Sequence, residues 1–220
     1  MRKRFHQSLD ELKEKLLVMA GFSEQAIQRA IEAYRTRDGE MVELVRKSEP
    51  SINRLEREID STALDLLATE QPMAVDLRFI LSVIRINADL ERVGDLAVNI
   101  AVRVGETNAL QPVDLPVDIP RLGTLAAAMI RKALEAFIDG DAEMAESVLA
   151  LDDEVDRLNS AAFHALSRVI REQPAVTTQA LNAMLIARNL ERVGDHATNI
   201  AEDVIFWVKG NDIRHKMTAA

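Results

Sequence analysis

Glu and Asp one helical turn apart, in a motif that occurs twice, are the residues of this chain best suited to chemistry. Leu90, Glu91, Arg92, Val93, Gly94 and Asp95 precede Ala97, Asn99, Ile100 and Ala101; Leu190, Glu191, Arg192, Val193, Gly194 and Asp195 precede Ala197, Asn199, Ile200 and Ala201. A gapless copy of this kind marks two versions of one structural unit. On a helix of roughly 100° per residue, positions i and i+4 lie about 40° apart and share a face. Like charges so placed destabilise the helix by a few tenths of a kcal/mol. Arg92, three residues before Asp95, could offset this as a local ion pair. A bound cation is the other answer.

A second acidic row accompanies each motif. Glu49, Asn53, Glu56 and Asp60 run along one helix edge in the first half, and Asp152 and Asp156 are again i and i+4 in the second. Aligning Ser51–Leu55 with Glu154–Leu158 pairs Glu49 with Asp152 and Asn53 with Asp156. Two helices could then face four oxygen-bearing side chains at each other, a set that suits Mg, Mn, Fe or Zn ions. Ile84, Ala88 and Val102 lie close to the direction of Glu91 and Asp95, beside the main apolar face of Val83, Ile86, Leu90, Val93, Ala97 and Ala101. A purely solvated face is not written that way. Gly94 and Gly194 predict close helix–helix approach, since mid-helix Gly is unfavourable by about 1 kcal/mol relative to Ala. Acidic helical chains nevertheless contain many such pairs, and a repeat can preserve packing alone. Both readings, ion site and solvated acidic edge, stand at this point.

The elements that must carry these rows are long helices. Of 220 residues, 48 % are apolar and 29 % charged, with 4 % aromatic, which is the balance of a soluble helical protein. The net charge of −9 argues against nucleic acid as a partner. Zero Cys excludes disulfides, thiolate ligands and a cysteine nucleophile. Asp10, Glu11, Lys13 and Glu14 interrupt any signal-peptide core after Met1-Arg2-Lys3-Arg4. No run approaches the roughly 18 apolar residues of a membrane span, so a cytoplasmic location is expected.

Apolar and small residues at 5, 9, 12, 16, 19, 26, 30 and 33 predict a first helix from Phe5 to Tyr34. A second follows Asp38-Gly39, with a kink or restart expected at Pro50. Glu70-Gln71-Pro72, matched by Glu172-Gln173-Pro174, opens a third over 72–103. Pro112, Pro116 and Pro120 mark a linker, and the second half repeats the plan over 121–138, up to 171, and 176–209. The expected architecture is all-α: a first three-helix bundle repeat over 1–105, a linker over 106–120 and a second over 121–220.

Other constellations are weaker. No Glu-x-x-His, phosphate-binding Gly-rich loop or Gly-x-Ser-x-Gly occurs. His6, His164, His196 and His215 are scattered, and His196 has only Leu96 as its counterpart. Val204–Val208 reads as a core or inter-bundle contact, or else as a partner surface. Arg78, Arg85 and Arg92 at heptad spacing read as a solvated basic stripe, with an acidic partner as the alternative.

The doubled motif, Asp76-Leu77-Arg78 after Pro72, and the ending Val208-Lys209-Gly210-Asn211-Asp212-Ile213-Arg214-His215 resemble the PhoU family, accessory proteins of bacterial phosphate-specific transport. The resemblance covers nearly the whole chain. It implies two three-helix bundles in a cytoplasmic, often dimeric regulator without catalysis, which restrains the phosphate transporter and helps the sensor kinase silence the phosphate-starvation response. The implied partners are the transporter ATPase and that histidine kinase, which would also bring the protein to the membrane. Some members carry metal clusters on paired Glu/Asp-x-x-x-Asp motifs. Glu91/Asp95, Glu191/Asp195 and Asp152/Asp156 fit that motif, while Glu49/Asn53 departs from it, so the second bundle is expected to hold metal if only one does. The rival classes are a metal-dependent hydrolase or oxidase and a purely structural scaffold.

Overall fold

The computed structural model describes residues 2–213; Met1, Arg214 and His215 of the motifs above lie outside that range. Six helices follow one another: α1 Arg2–Thr36, α2 Gly39–Glu70, α3 Val75–Asn108, α4 Ile119–Asp139, α5 Ala142–Glu172 and α6 Thr177–Lys209. No strand occurs among the described residues. Helices α1, α2 and α3 pack on one another, and so do α4, α5 and α6. The trios then join along α3 against α6 and α1 against α4, and one apolar core runs through both.

Local chemistry explains where the helices stop and restart. Asp38 accepts from the Glu40 N–H at 2.8 Å, Asp118 from Arg121 at 3.0 Å, and Asp141 from Glu143 and Met144 at 2.9 Å each, so all three serve as N-caps. Gly140, with φ +63°, ends α4, and Gly210, with φ +70°, ends α6. The break at Asp139-Gly140-Asp141 is therefore a C-cap followed directly by an N-cap.

Two expectations shift. Helix α2 runs unbroken through Pro50, so of the kink or restart predicted there from the missing N–H, the restart does not occur. Pro50 faces solvent, and the stripe Val42, Val45, Ile52, Leu55, Ile59, Ala63 and Leu66 stays buried on both sides of it. Packing of that face outweighs a local penalty of about 3 kcal/mol. Helix α3 also begins three residues after Pro72 and continues to Asn108 rather than 103. Val104 is fully buried, and Arg37 Nη2 donates to the carbonyls of Thr107, Asn108 and Leu110 at 3.1, 3.1 and 2.7 Å. A side chain some seventy residues away thus satisfies the helix end. Pro120 falls in the first turn of α4, where its missing N–H is harmless. The irregular connection is 109–118.

Glycine sets the spacing between helices. A Cβ on Gly94 would lie 2.8 Å from Ile52 Cδ1, and one on Gly194 would lie 3.2 Å from Val155 Cγ1. Ile52 and Val155 are the aligned positions of α2 and α5, so the two bundles share one close contact. Between bundles, a Cβ on Gly123 would meet Ile31 at 2.6 Å.

The Val204–Val208 run is an inter-bundle contact. Val204 and Ile205 are buried, and Trp207 packs on Phe79 and Phe137 with ring centroids 5.2 and 5.5 Å away. The arginine stripe is not free either: Arg78 Nε donates to the Trp207 carbonyl at 3.1 Å, Arg85 pairs with buried Asp203 at 3.0 Å, and Arg92 lies beside Glu91 and Asp95.

Gly94→Val should lower the unfolding free energy by about 2 kcal/mol through overpacking against Ile52. Gly21→Ala, in mid-helix with open space around it, should raise stability by about 1 kcal/mol. Urea titrations followed by far-UV circular dichroism read both. A Gly94→Val protein as stable as the parent would show the contact to be loose.

Candidate functional site: the two carboxylate seams

In the first bundle, α2 and α3 cross at Ile52–Gly94, and this contact sets the acidic rows against each other. Glu91 is mostly buried, its side chain 17 % exposed, whereas Asp95 is 37 % exposed. Burial raises Glu91 above the ordinary carboxylate range, and Asp95, Glu56 and Glu49 push the same way while Arg92 opposes them. Glu49 and Glu56 therefore face Glu91 across the seam. Asn53 Oδ1 is buried between them without a hydrogen-bond partner. One turn further on, buried Asn87 donates to the Glu56 carbonyl at 3.0 Å and to Asp60 Oδ1 at 2.9 Å, which ties α2 to α3.

The second bundle carries the same seam with stronger coupling. Burial, then Asp156, Asp195 and Asp153, push Asp152 up to about 6. Burial also raises Glu191 and Asp195; among neighbours, Asp195, Asp156 and Asp152 add to the shift at Glu191, and Asp156 adds to it at Asp195. Glu191 thus feels the other three acids of the expected set, and Asp152 feels Asp156 and Asp195. Glu191 is nearly sequestered, its side chain 9 % exposed, with Oε1 held by Arg188 and Oε2 buried and unpartnered. Asp152 Oδ1 is likewise buried and unpartnered, 3.7 Å from where a Gly194 Cβ would lie.

Unpaired buried carboxylate oxygens are costly. Their chemistry fits an oxygen-coordinated cation, which Asp152, Asp156, Glu191 and Asp195 would hold in the second bundle, and Glu49, Asn53, Glu91 and Asp95 in the first. As they stand, no three His, Asp or Glu side chains among the described residues converge closely enough to grip an ion. Binding would require side-chain rotation.

Two contributors escaped the motif reading. Glu56, seen only as part of a row, acts on Glu91 more strongly than Glu49 does. Arg188 offers only its i, i+3 spacing to Glu191 as a signal, and Ala88 occupies the matching place in the first motif. His196 belongs to a different seam. Its Nδ1 lies 2.7 Å from Asp89 Oδ1, to which Asn199 also donates at 3.1 Å, and this joins α6 to α3.

The raised acids fix the sign of a pH dependence. Asp152 moves from 3.8 to about 6 on folding, so the native state takes up a proton between those values. The stability this contributes is fully present below 3.8 and lost as pH rises through about 6. In chelator-treated protein, Asp152→Asn should flatten the loss of stability between about pH 4 and 6.5. At about pH 7.5 it should stabilise by about 1–2 kcal/mol, discounted for partial solvent screening. Denaturant titrations at both ends of that window check this; equal slopes in parent and variant would contradict it.

Known proteins resemble this chain along nearly its whole length. A PhoU domain model matches residues 16–104 and again 119–204. The chain is 37 % identical over 215 residues to a phosphate-specific transport system accessory protein PhoU homolog of Pseudomonas aeruginosa, covering 96 % of this chain and 88 % of the relative. The Clostridium acetobutylicum homolog is 32 % identical over 213 residues, covering 96 % and 97 %. The crystal structure of PhoU from P. aeruginosa superposes with a TM-score of 0.89 at 36 % identity over 94 % of this chain and 100 % of that one. The phosphate transport system regulatory protein PhoU from Streptococcus pneumoniae superposes with a TM-score of 0.87 at 28 % identity, covering 94 % and 98 %. With both repeats matched and the fold shared over 94 % of its length, the chain belongs to the PhoU family.

Proposed function

We propose that this chain is an accessory regulator of phosphate transport that works by protein contact. It restrains the ATPase of a phosphate-specific transporter and, with the sensor histidine kinase, holds the phosphate-starvation response silent when phosphate is plentiful. The carrying observation is the similarity to PhoU accessory and regulatory proteins over nearly the full length of both partners. No helix among the described residues is long and apolar enough to cross a membrane. In this reading the protein acts from the cytoplasm as a homodimer and reaches the membrane through its partners. Its carboxylate seams bind a metal ion (Fe, Zn, Mg or Mn) as part of regulation rather than as a catalytic centre; the orphaned oxygens of Asp152, Glu191 and Asn53 favour this reading.

Affinity purification of the full chain from cells grown at high phosphate should recover the transporter ATPase and the sensor kinase. Recovery of neither would refute the assignment. The Glu191→Gln, Asp195→Asn double variant should derepress a phosphate-starvation reporter at high phosphate. Unchanged repression would leave the seams with a purely structural role.

A further inference from the structure

The two seams differ in one respect that the duplicated motif conceals. In the second bundle a guanidinium is already seated on a carboxylate: Arg188 pairs with Glu191 Oε1. The first motif has Ala88 at that place, and its nearest guanidinium, Arg92, stands off at 3.6 Å from Glu91 and 3.8 Å from Asp95. Glu191 is also the more buried of the two equivalent acids, and its second oxygen is unpartnered. A cation placed among Glu191, Asp195 and Asp152 would meet a carboxylate already engaged by a positive charge.

We propose that Arg188 is an internal counter-ion that competes with a divalent cation for the second carboxylate seam, so that cation binding there requires the guanidinium to leave Glu191. This rests on the cation-binding reading above. The chemistry suits an exchange. The Arg188 side chain is 60 % exposed and that of Glu191 9 %, so the guanidinium can swing into water and leave the carboxylate in the seam. With the arginine engaged, Glu191 keeps a partner in the metal-free protein. With a cation bound, the orphaned oxygens of Glu191 and Asp152 gain one.

Titrating the full chain with Mn²⁺ after chelator removal, and counting free ion by electron paramagnetic resonance, tests the exchange. The binding lost in Glu191→Gln identifies the second seam. Arg188→Ala and Arg188→Gln should each tighten that binding by about fivefold, the effect of removing one ion pair whose guanidinium faces water. If Arg188→Ala fails to fold, Arg188→Gln carries the test. Unchanged or weaker binding in the folded Arg188 variants, with the parent binding Mn²⁺, would overturn the competition and leave the cation reading intact. Absence of Mn²⁺ binding in the parent and in every variant up to millimolar ion would overturn both.

Discussion

Everything at the two seams depends on the contact of a branched side chain with a missing one: Ile52 on Gly94, and Val155 on Gly194. Removing one Cβ lets the helix axes approach, and close approach is what takes Glu91 and Glu191 out of water. Carboxylates brought together in a partly dry groove resist ionisation, first through desolvation and then through mutual repulsion. The raised proton affinities of Glu91, Asp152, Glu191 and Asp195 are thus a consequence of packing. The glycine and the charged residues lie in one motif because the former positions the latter.

The repeats are joined by polar contacts of a different kind. Along α3 and α6, Ser82 donates to the Asp203 carbonyl at 2.9 Å, Arg85 pairs with Asp203, and Asp89 meets His196 and Asn199. The offset of 100 that relates the motifs turns Asp203 into Arg103, His196 into Leu96 and Asp89 into Asn189. Of the residues on this joining surface only Asn199 keeps its like at the offset of 100, as Asn99, so little of the duplication that the seams keep survives here. Within a bundle, each helix must solve the same packing problem twice. Between bundles, one interface exists, and each residue of it can specialise.

Sequence reasoning succeeds where the signal is local or periodic. Heptad spacing, the break at Asp38-Gly39, the prolines of the linker and the alignment of Ile52 with Val155 all show in the string, as does the placing of two acidic rows in each half. It falls short where a distant group decides. Pro50 reads as a break until the buried stripe on either side is seen, and α3 reads as ending early because its cap is Arg37. The basic stripe reads as solvated because Trp207 and Asp203, which engage Arg78 and Arg85, are not visible from spacing alone; only the place of Arg92 beside Asp95 is. Asn53 reads as a defect in the first seam, yet Glu56, half a register away, supplies a carboxylate to the same neighbourhood.

By itself, then, the sequence determined the helical class, the duplication and the residue types set at each seam, because periodicity and pairwise spacing along a helix suffice for these. Tertiary structure alone decided how deeply each carboxylate is buried, which oxygens are left without partners, and which arginine reaches which acid. These follow from distances between helices, and a side chain's neighbour across a bundle is set by packing rather than by its place in the string. The same Glu-Arg-Val-Gly-Asp motif thus sits beside Ala88 in one bundle and beneath Arg188 in the other, with the same spacing but a different charge environment.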